Sequence, residues 1–279
     1  MKRIITEKIF QNFSNYLKEN ERTNATIHKY LHDIGCFSLY ANENEINKDM
    51  VLAYKADLVK RYAISSANSM IASLNTFFKF MEWNDLCIRQ FKVQKKVYCN
   101  EEKEISKSDY MKLLSVATEK KKERLNLLIQ TICGTGIRVS ELSAITVEAV
   151  RNGEAIISCK GKTRKVFIVS KLRKKLLKYA MKARIHSGAI FITRTGKPMD
   201  RSNIWREMKK LCKEAKISEE KVFPHNLRHL FARTFYNMDK DIAKLSDILG
   251  HTSINTTRVY IISTGAEHRR QMENMRLII

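Results

Sequence analysis

The chain has few residues that interrupt a helix: 2 prolines and 9 glycines among 279 residues. With Lys, Leu, Ile, Glu and Met abundant, this scarcity argues against a turn-rich all-β architecture and for a mainly helical one. Long hydrophobic runs are also missing, since no stretch approaches the ~20 consecutive apolar residues of a spanning helix. The opening Met1-Lys2-Arg3-Ile4-Ile5-Thr6-Glu7-Lys8 lacks the apolar region of a signal peptide. The cysteines (Cys36, Cys87, Cys99, Cys133, Cys159 and Cys212) form no Cys-x-x-Cys pair. Their scatter favours reduced thiols in a cytoplasmic protein over disulfide or zinc scaffolds. Acidic side chains are outnumbered, 29 against 52 basic, giving a formal net charge of +23. Such an excess attracts polyanions, nucleic acid or an anionic membrane surface, and the missing apolar segments turn the expectation away from a membrane.

A chain of this length forms one large or two modest domains. Residues 1–98 read as an N-terminal helical domain of four amphipathic helices, near 7–19, 25–40, 48–62 and 66–81. Asn24 and Asn47 are candidate caps for the second and third. The pattern weakens and charges crowd over about 84–104, which reads as a linker. Residues 105–279 form the second domain, opened by a helix that Ser106 or Ser108 can cap and followed by another over 124–133. The β-rich runs 155–159 and 166–169 bracket Lys160-Gly161-Lys162-Thr163-Arg164-Lys165, a hairpin with a basic tip. Helices resume near 171–183, 203–215, 224–237 and 241–249. The first 98 residues carry 15 basic and 10 acidic side chains, the remainder 37 and 19, so denser phosphate contacts are expected in the second half.

Several residues in this second half are of types that handle phosphate. Gly136 is suited to end a helix in a left-handed conformation, after which Ile137-Arg138-Val139-Ser140-Glu141-Leu142 opens another. Arg138 then lies near a helix N-terminus, where backbone N–H groups favour anions; equally, it is an ordinary i, i+3 partner of Glu141. His225 and Arg228 follow Pro224, a good first-turn residue, and their spacing places them on one helix face, as a convergent site or as a surface pair. His229 is expected to point elsewhere and to be structural. His251 follows Gly250, and Ser253 can cap a short helix running to Tyr260, which by itself is one of 10 tyrosines.

Taken in order, Thr135-Gly136-Ile137-Arg138-Val139-Ser140-Glu141-Leu142, His225-Asn226-Leu227-Arg228-His229 and Leu249-Gly250-His251 with Tyr260 nine residues on resemble the tyrosine recombinases of the phage-integrase and Xer type. The Lys160-Gly161 hairpin matches as well, and the resemblance covers nearly the whole chain. It implies a four-helix core-binding domain followed by an α+β catalytic domain with a small antiparallel sheet. It also implies an enzyme that cuts and rejoins double-stranded DNA at paired half-sites, for integration, excision or resolution, as a tetramer in the synaptic complex.

The same resemblance assigns roles. Tyr260 attacks the scissile phosphorus to give a 3′-phosphotyrosyl link, and a phenol, with a pKa of about 10, needs help to lose its proton. His225 gives that help as acid–base catalyst. Arg138 and Arg228 hold the non-bridging oxygens, a task suited to a planar, permanently charged guanidinium. His251 adds a hydrogen bond to the phosphate or orients the tyrosine. The family's lysine precedes the hairpin glycine, which selects Lys160 over Lys162 to protonate the departing 5′-oxygen. No metal or other cofactor is implied, since arginines take the place of a divalent cation and the phosphotyrosine conserves the bond energy. The apolar tail residues Met272, Met275, Leu277 and Ile278 dock on a neighbouring protomer or pack on their own subunit. Two alternatives share these features: a type IB topoisomerase relaxing DNA as a monomer, and a non-catalytic DNA-binding regulator on the same scaffold.

Overall fold

The structure, a computed structural model, describes residues 3–93, 103–159, 162–261 and 272–275. It divides into two compact units, Met1–Lys95 and Lys96–Ile279. Among the described residues the fold is mainly α, with a single two-stranded antiparallel sheet in the second unit. No helix among them is long and apolar enough to cross a membrane.

The first unit consists of α1 (Glu7–Glu19), α2 (Asn24–Ala41), α3 (Lys48–Arg61) and α4 (Ile64–Phe80). Thr23, not Asn24, caps α2: its hydroxyl accepts from the Thr26 N–H at 3.4 Å, and Asn24 becomes the first helical residue. Asn47 caps α3 as expected, accepting from the Met50 N–H at 2.9 Å. The helices close on an aromatic core of Phe13, Phe37, Tyr54, Phe77 and Phe78. Phe13 meets Phe77 edge-on at 5.2 Å, and Phe37 meets Phe78 the same way at 5.8 Å, the arrangement the ring quadrupole favours. The segment expected to begin a linker at Asn84 is instead tied to α4. Leu86 and Ile88 are buried, and Asn75 grips Ile88 by both its N–H (2.9 Å) and its carbonyl (2.8 Å). One stripe earlier on α4, Asn68 treats Phe91 identically, at 2.8 and 2.9 Å. Past the 3₁₀ turn Asn84–Leu86, side-chain amides thus satisfy the backbone of a stretch, 87–93, that has no helix or strand of its own. Residues 94–102 of the expected linker lie outside the described residues.

The second unit opens with α5 (Lys107–Glu119), whose cap Ser106 exchanges hydrogen bonds with Asp109 in a capping box. The elements α6 (Glu123–Thr135), a 3₁₀ turn (Val139–Ala144) and α7 (Val147–Asn152) follow, the last without counterpart in the sequence-based expectations. The strands β1 (Glu154–Cys159) and β2 (Lys162–Phe167) pair from Glu154↔Phe167 to Cys159↔Lys162. Then come α8 (Ser170–Lys182), α9 (Arg201–Ala215), α10 (Pro224–Asp239), α11 (Ile242–Leu249) and α12 (Ile254–Arg258). The core draws on Leu128, Ile132, Leu142, Leu176, Met208 and Leu227, and α10 packs along α6.

The hairpin differs from its expected form. The second strand starts at Lys162 rather than Val166, so Arg164 and Lys165 lie in the ladder and not at a tip. Backbone pairing outweighs the low strand propensity of charged residues because Arg164, which alternates inward with Val166, finds a carboxylate there.

Candidate active site

Two helix ends create the centre of the site. Gly136 (φ +65°) terminates α6 and Gly250 (φ +63°) terminates α11, both in the left-handed region. A side chain at position 136 would collide with the Phe231 ring, so both backbone conformation and space call for glycine there. The C-terminal carbonyls of these helices carry partial negative charge and lack intrahelical donors. Arg228, reaching from α10, supplies them. Its Nη1 donates to the Gly136 carbonyl and its Nη2 to the Leu249 carbonyl at 2.7 Å, with the residue only 1 % exposed.

Arg228 Nη2 also lies 3.0 Å from His251 Nε2. A guanidinium has only donors, so Nε2 accepts and the proton of the neutral ring resides on Nδ1. From there it is donated to Thr257 Oγ1, 2.8 Å away on α12. His251 therefore connects Arg228 to the helix that precedes Tyr260. The sequence-based expectation gave its hydrogen bond to phosphate or to orientation of the tyrosine; here Nε2 is engaged by Arg228.

Tyr260 is not on a helix. Helix α12 ends at Arg258, and the Tyr260 N–H closes a turn onto the Thr257 carbonyl at 2.9 Å. Its ring is 5 % exposed. The hydroxyl is 3.5 Å from His225 Nε2. Among the described residues three imidazoles surround the ring: His225 at 5.3 Å, His251 at 5.2 Å and His229 at 4.2 Å between centroids. The Arg228 guanidinium carbon is 6.0 Å from the same centroid. His229, expected to point elsewhere on α10, is thus the imidazole nearest the tyrosine ring among the described residues.

Arg138 is the extended residue before the 3₁₀ turn, not part of a new α-helix. Its N–H donates to Glu141 Oε2 at 2.9 Å and its Nη1 to Oε1 at 3.0 Å. The i, i+3 pair is real, yet Glu141 is no surface residue: it is 9 % exposed and also accepts from Arg164 Nη2 at 2.8 Å. A nearly buried carboxylate shared by two guanidiniums holds both in fixed directions. Arg138 remains partly exposed toward a cleft of about 790 Å³ lined also by Arg164, Asp247, His251 and Thr252.

Burial, followed by the neighbouring His229, Arg228 and Arg138, pushes the His225 pKa down to about 4. Burial, then Arg228, Arg138 and Arg164, lowers His251 to about 4 as well. Both rings are neutral at pH 7, so His225 is free to accept a proton. Burial and then Arg138 lower Arg228 to about 10, still charged at neutral pH.

The structure brings together Arg138, His225, Arg228, His251 and Tyr260, while Lys160 lies outside the described residues. Sequence reasoning missed Arg164 and His229, and saw Glu141 only as a partner of Arg138. The signals were the i, i+4 spacing of His225 and His229 and the inward phase of Arg164 on its strand. Among the described residues, no group of three His, Cys, Asp or Glu side chains is placed to hold a metal ion.

Comparison with known proteins adds an independent line. Residues 103–267 match the Phage integrase family and residues 10–85 the N-terminal SAM-like domain of phage integrases. The chain is 27 % identical to tyrosine recombinase XerA of Pyrococcus furiosus over 284 residues, covering 98 % of this chain and 96 % of that one. Its fold is similar to that of a lambda integrase (75-356) dimer bound to a COC′ core site, with a TM-score of 0.76 at 16 % identity over 93 % of this chain and 96 % of that one. A lambda integrase tetramer bound to a Holliday junction gives a TM-score of 0.74 at 16 % identity, over 91 % and 76 % of the two chains. These relatives lend no support to the topoisomerase alternative. The chain belongs to the phage integrase family and is a Xer-like site-specific tyrosine recombinase.

Proposed function

We propose that this recombinase cuts and rejoins double-stranded DNA at paired half-sites, with Tyr260 as nucleophile. The observation that carries most weight is the approach of the Tyr260 hydroxyl to a neutral His225 Nε2 at 3.5 Å, with Arg228 against the same ring. His225 takes the phenolic proton as Tyr260 oxygen bonds to phosphorus. The bond from phosphorus to the 5′-oxygen breaks, and the departing oxygen takes a proton from the Lys160 ammonium. The 3′-phosphotyrosyl link then yields to a 5′-hydroxyl of another strand, which loses its proton to Lys160 while His225 returns one to the phenol. Arg138 and Arg228 stabilise charge on the non-bridging oxygens, and their directions are already fixed by Glu141 and by two helix ends. His251 orients Arg228.

Residues 1–98 form a core-binding domain and residues 105–279 the catalytic domain, the latter carrying the greater basic excess and hence most phosphate contacts. The enzyme acts in the cytoplasm, and four protomers exchange strands on two sites. In the tail, Met272 and Met275 are exposed, at 71 % and 59 %, and suit contact with a neighbouring protomer. Leu277 and Ile278 are outside the described residues.

A nicked DNA substrate that traps the cleaved state tests the chemistry. The wild-type chain is expected to form a covalent adduct, and Tyr260→Phe to bind DNA and form none; an adduct with Tyr260→Phe rejects the assignment. Lys160→Ala is expected to be rescued by a 5′-bridging phosphorothiolate, whose thiolate leaves without a proton. Rescue of Lys162→Ala in its place moves the role to that residue.

A further inference from the structure

One stripe of α10 faces away from Arg228 and grips the chain where it enters the second unit. Asn226 Nδ2 donates to the Lys103 carbonyl at 2.6 Å and to the Lys221 carbonyl at 2.8 Å. Arg233 Nη2 donates to the Ile105 carbonyl at 3.3 Å, and its Nη1 lies 3.7 Å from Glu104 Oε2. Between them His229 Nδ1 lies 3.6 Å from Glu104 Oε1. Positions 226, 229 and 233 follow the i, i+3, i+7 course of a single helix face.

His229 has a second neighbour on its other side. Its ring is 4.2 Å from that of Tyr260 and 4.8 Å from that of His225. Its Nε2 is buried without a hydrogen-bond partner among the described residues. No step of the proposed chemistry uses this ring, and an aliphatic side chain would fill the same space at no polar cost. A half-sheltered carboxylate aimed at one edge of the ring is likewise unnecessary for packing, because burying it costs free energy unless it is paired. His229, followed by Arg233 and His225, holds the Glu104 carboxyl below its usual range against the opposing effect of burial.

Tyr260 needs such support because it lies past the end of α12, where among the described residues its backbone makes one turn bond, to Thr257. We propose that Glu104 and His229 form a positioning pair: the carboxylate fixes the rotation of the imidazole, and the imidazole forms the wall that turns the Tyr260 hydroxyl toward His225. The pair links the segment entering the second unit to the nucleophile, and the inference rests on Tyr260 acting as proposed above.

The test is single-turnover cleavage of the nicked substrate by the full-length chain over a range of DNA concentrations. Glu104→Gln keeps the volume and removes the charge. It is expected to slow cleavage at saturating DNA by roughly 10- to 100-fold, the scale of a sub-ångström to ångström misplacement of a reacting group. The DNA concentration for half-saturation is expected to stay unchanged, and Glu104→Asp to regain part of the rate. His229→Gln is expected to slow cleavage similarly, and the double variant no more than the slower single one. Wild-type rate in Glu104→Gln, a loss confined to half-saturation, no recovery in Glu104→Asp, or multiplied losses in the double variant would each overturn the pair. Should His229→Gln not fold, the two Glu104 variants alone decide. Tyr260→Phe is run alongside: an adduct there rejects the nucleophile assignment, whereas its silence with a wild-type rate in Glu104→Gln rejects only the positioning pair.

Discussion

The two units bury polar groups in different ways. In the first, the buried polar side chains among the described residues are Asp33 and Ser73, and they satisfy each other: the Ser73 hydroxyl donates to Asp33 at 2.6 Å, with Lys29 closing the charge. The rest of that core is aromatic and aliphatic. The second buries Thr131, Thr135, Glu141, Asn226, Arg228, Ser246 and Thr257. Thr131 and Thr135 bond back into their own helix, but Glu141, Arg228 and Thr257 connect separate elements around Tyr260. One core is built to stay folded; the other accepts the desolvation of charge so that guanidiniums and imidazoles keep fixed directions.

Substitutions should separate these two designs. The largest effect is expected from Phe37→Ala, which empties a fully buried ring position in the first unit and should cost about 3–5 kcal/mol in urea denaturation. Arg228→Ala should act mainly on rate. It takes the Arg228 donor from the Gly136 carbonyl and from His251 Nε2, leaves the Leu249 carbonyl to Arg164 Nε at 3.3 Å, and removes a charge from the reacting phosphate. Single-turnover cleavage is expected to fall by roughly 10²- to 10³-fold. Comparable loss of stability and of rate in both variants would erase the distinction between the units.

Gly250→Ala sharpens it from the backbone side. Its left-handed φ of +63° costs an L-residue about 1–2 kcal/mol, and the new methyl would press on the Arg164 side chain. Displacing Arg164 loosens Glu141 and thereby Arg138. Cleavage should drop while the first unit unfolds at its wild-type denaturant concentration.

The histidines offer a smaller, pH-linked effect. His225 and His251, with pKa values lowered to about 4 in the folded chain, bind fewer protons than their unfolded counterparts between about 4 and 6.5. Their contribution to stability is therefore full above about pH 6.5 and is lost as pH falls toward 4. Imidazole NMR should find both rings neutral at pH 5.5. The smallest change is expected for Glu154→Ala, which removes an exposed pair with Lys165 worth about 0–1 kcal/mol.

Much of this was legible in the sequence because it is local. Apolar stripes marked the helices, Asn47 and Ser106 marked starts, and Gly136 and Gly250 marked ends. The order of Arg138, His225, Arg228, His251 and Tyr260 gave the constituents of the site. What escaped depends on partners distant in sequence. Nothing near Arg164 says that Glu141 awaits it, so a basic run read as a hairpin tip. Asn68 and Asn75 turn apparent linker residues into part of the first unit by bonding across 23 and 13 positions. His229 became a neighbour of Tyr260 only through the turn that follows α12.

The most direct measurement concerns the nucleophile itself. The covalent adduct formed on nicked DNA would be digested with protease and nuclease and the nucleotide-bearing peptide sequenced by mass spectrometry. The expected product is a peptide containing Val259-Tyr260-Ile261 with a 3′-phosphate joined to Tyr260. A nucleotide on any other tyrosine, or a link through a 5′-phosphate, would contradict the site described above.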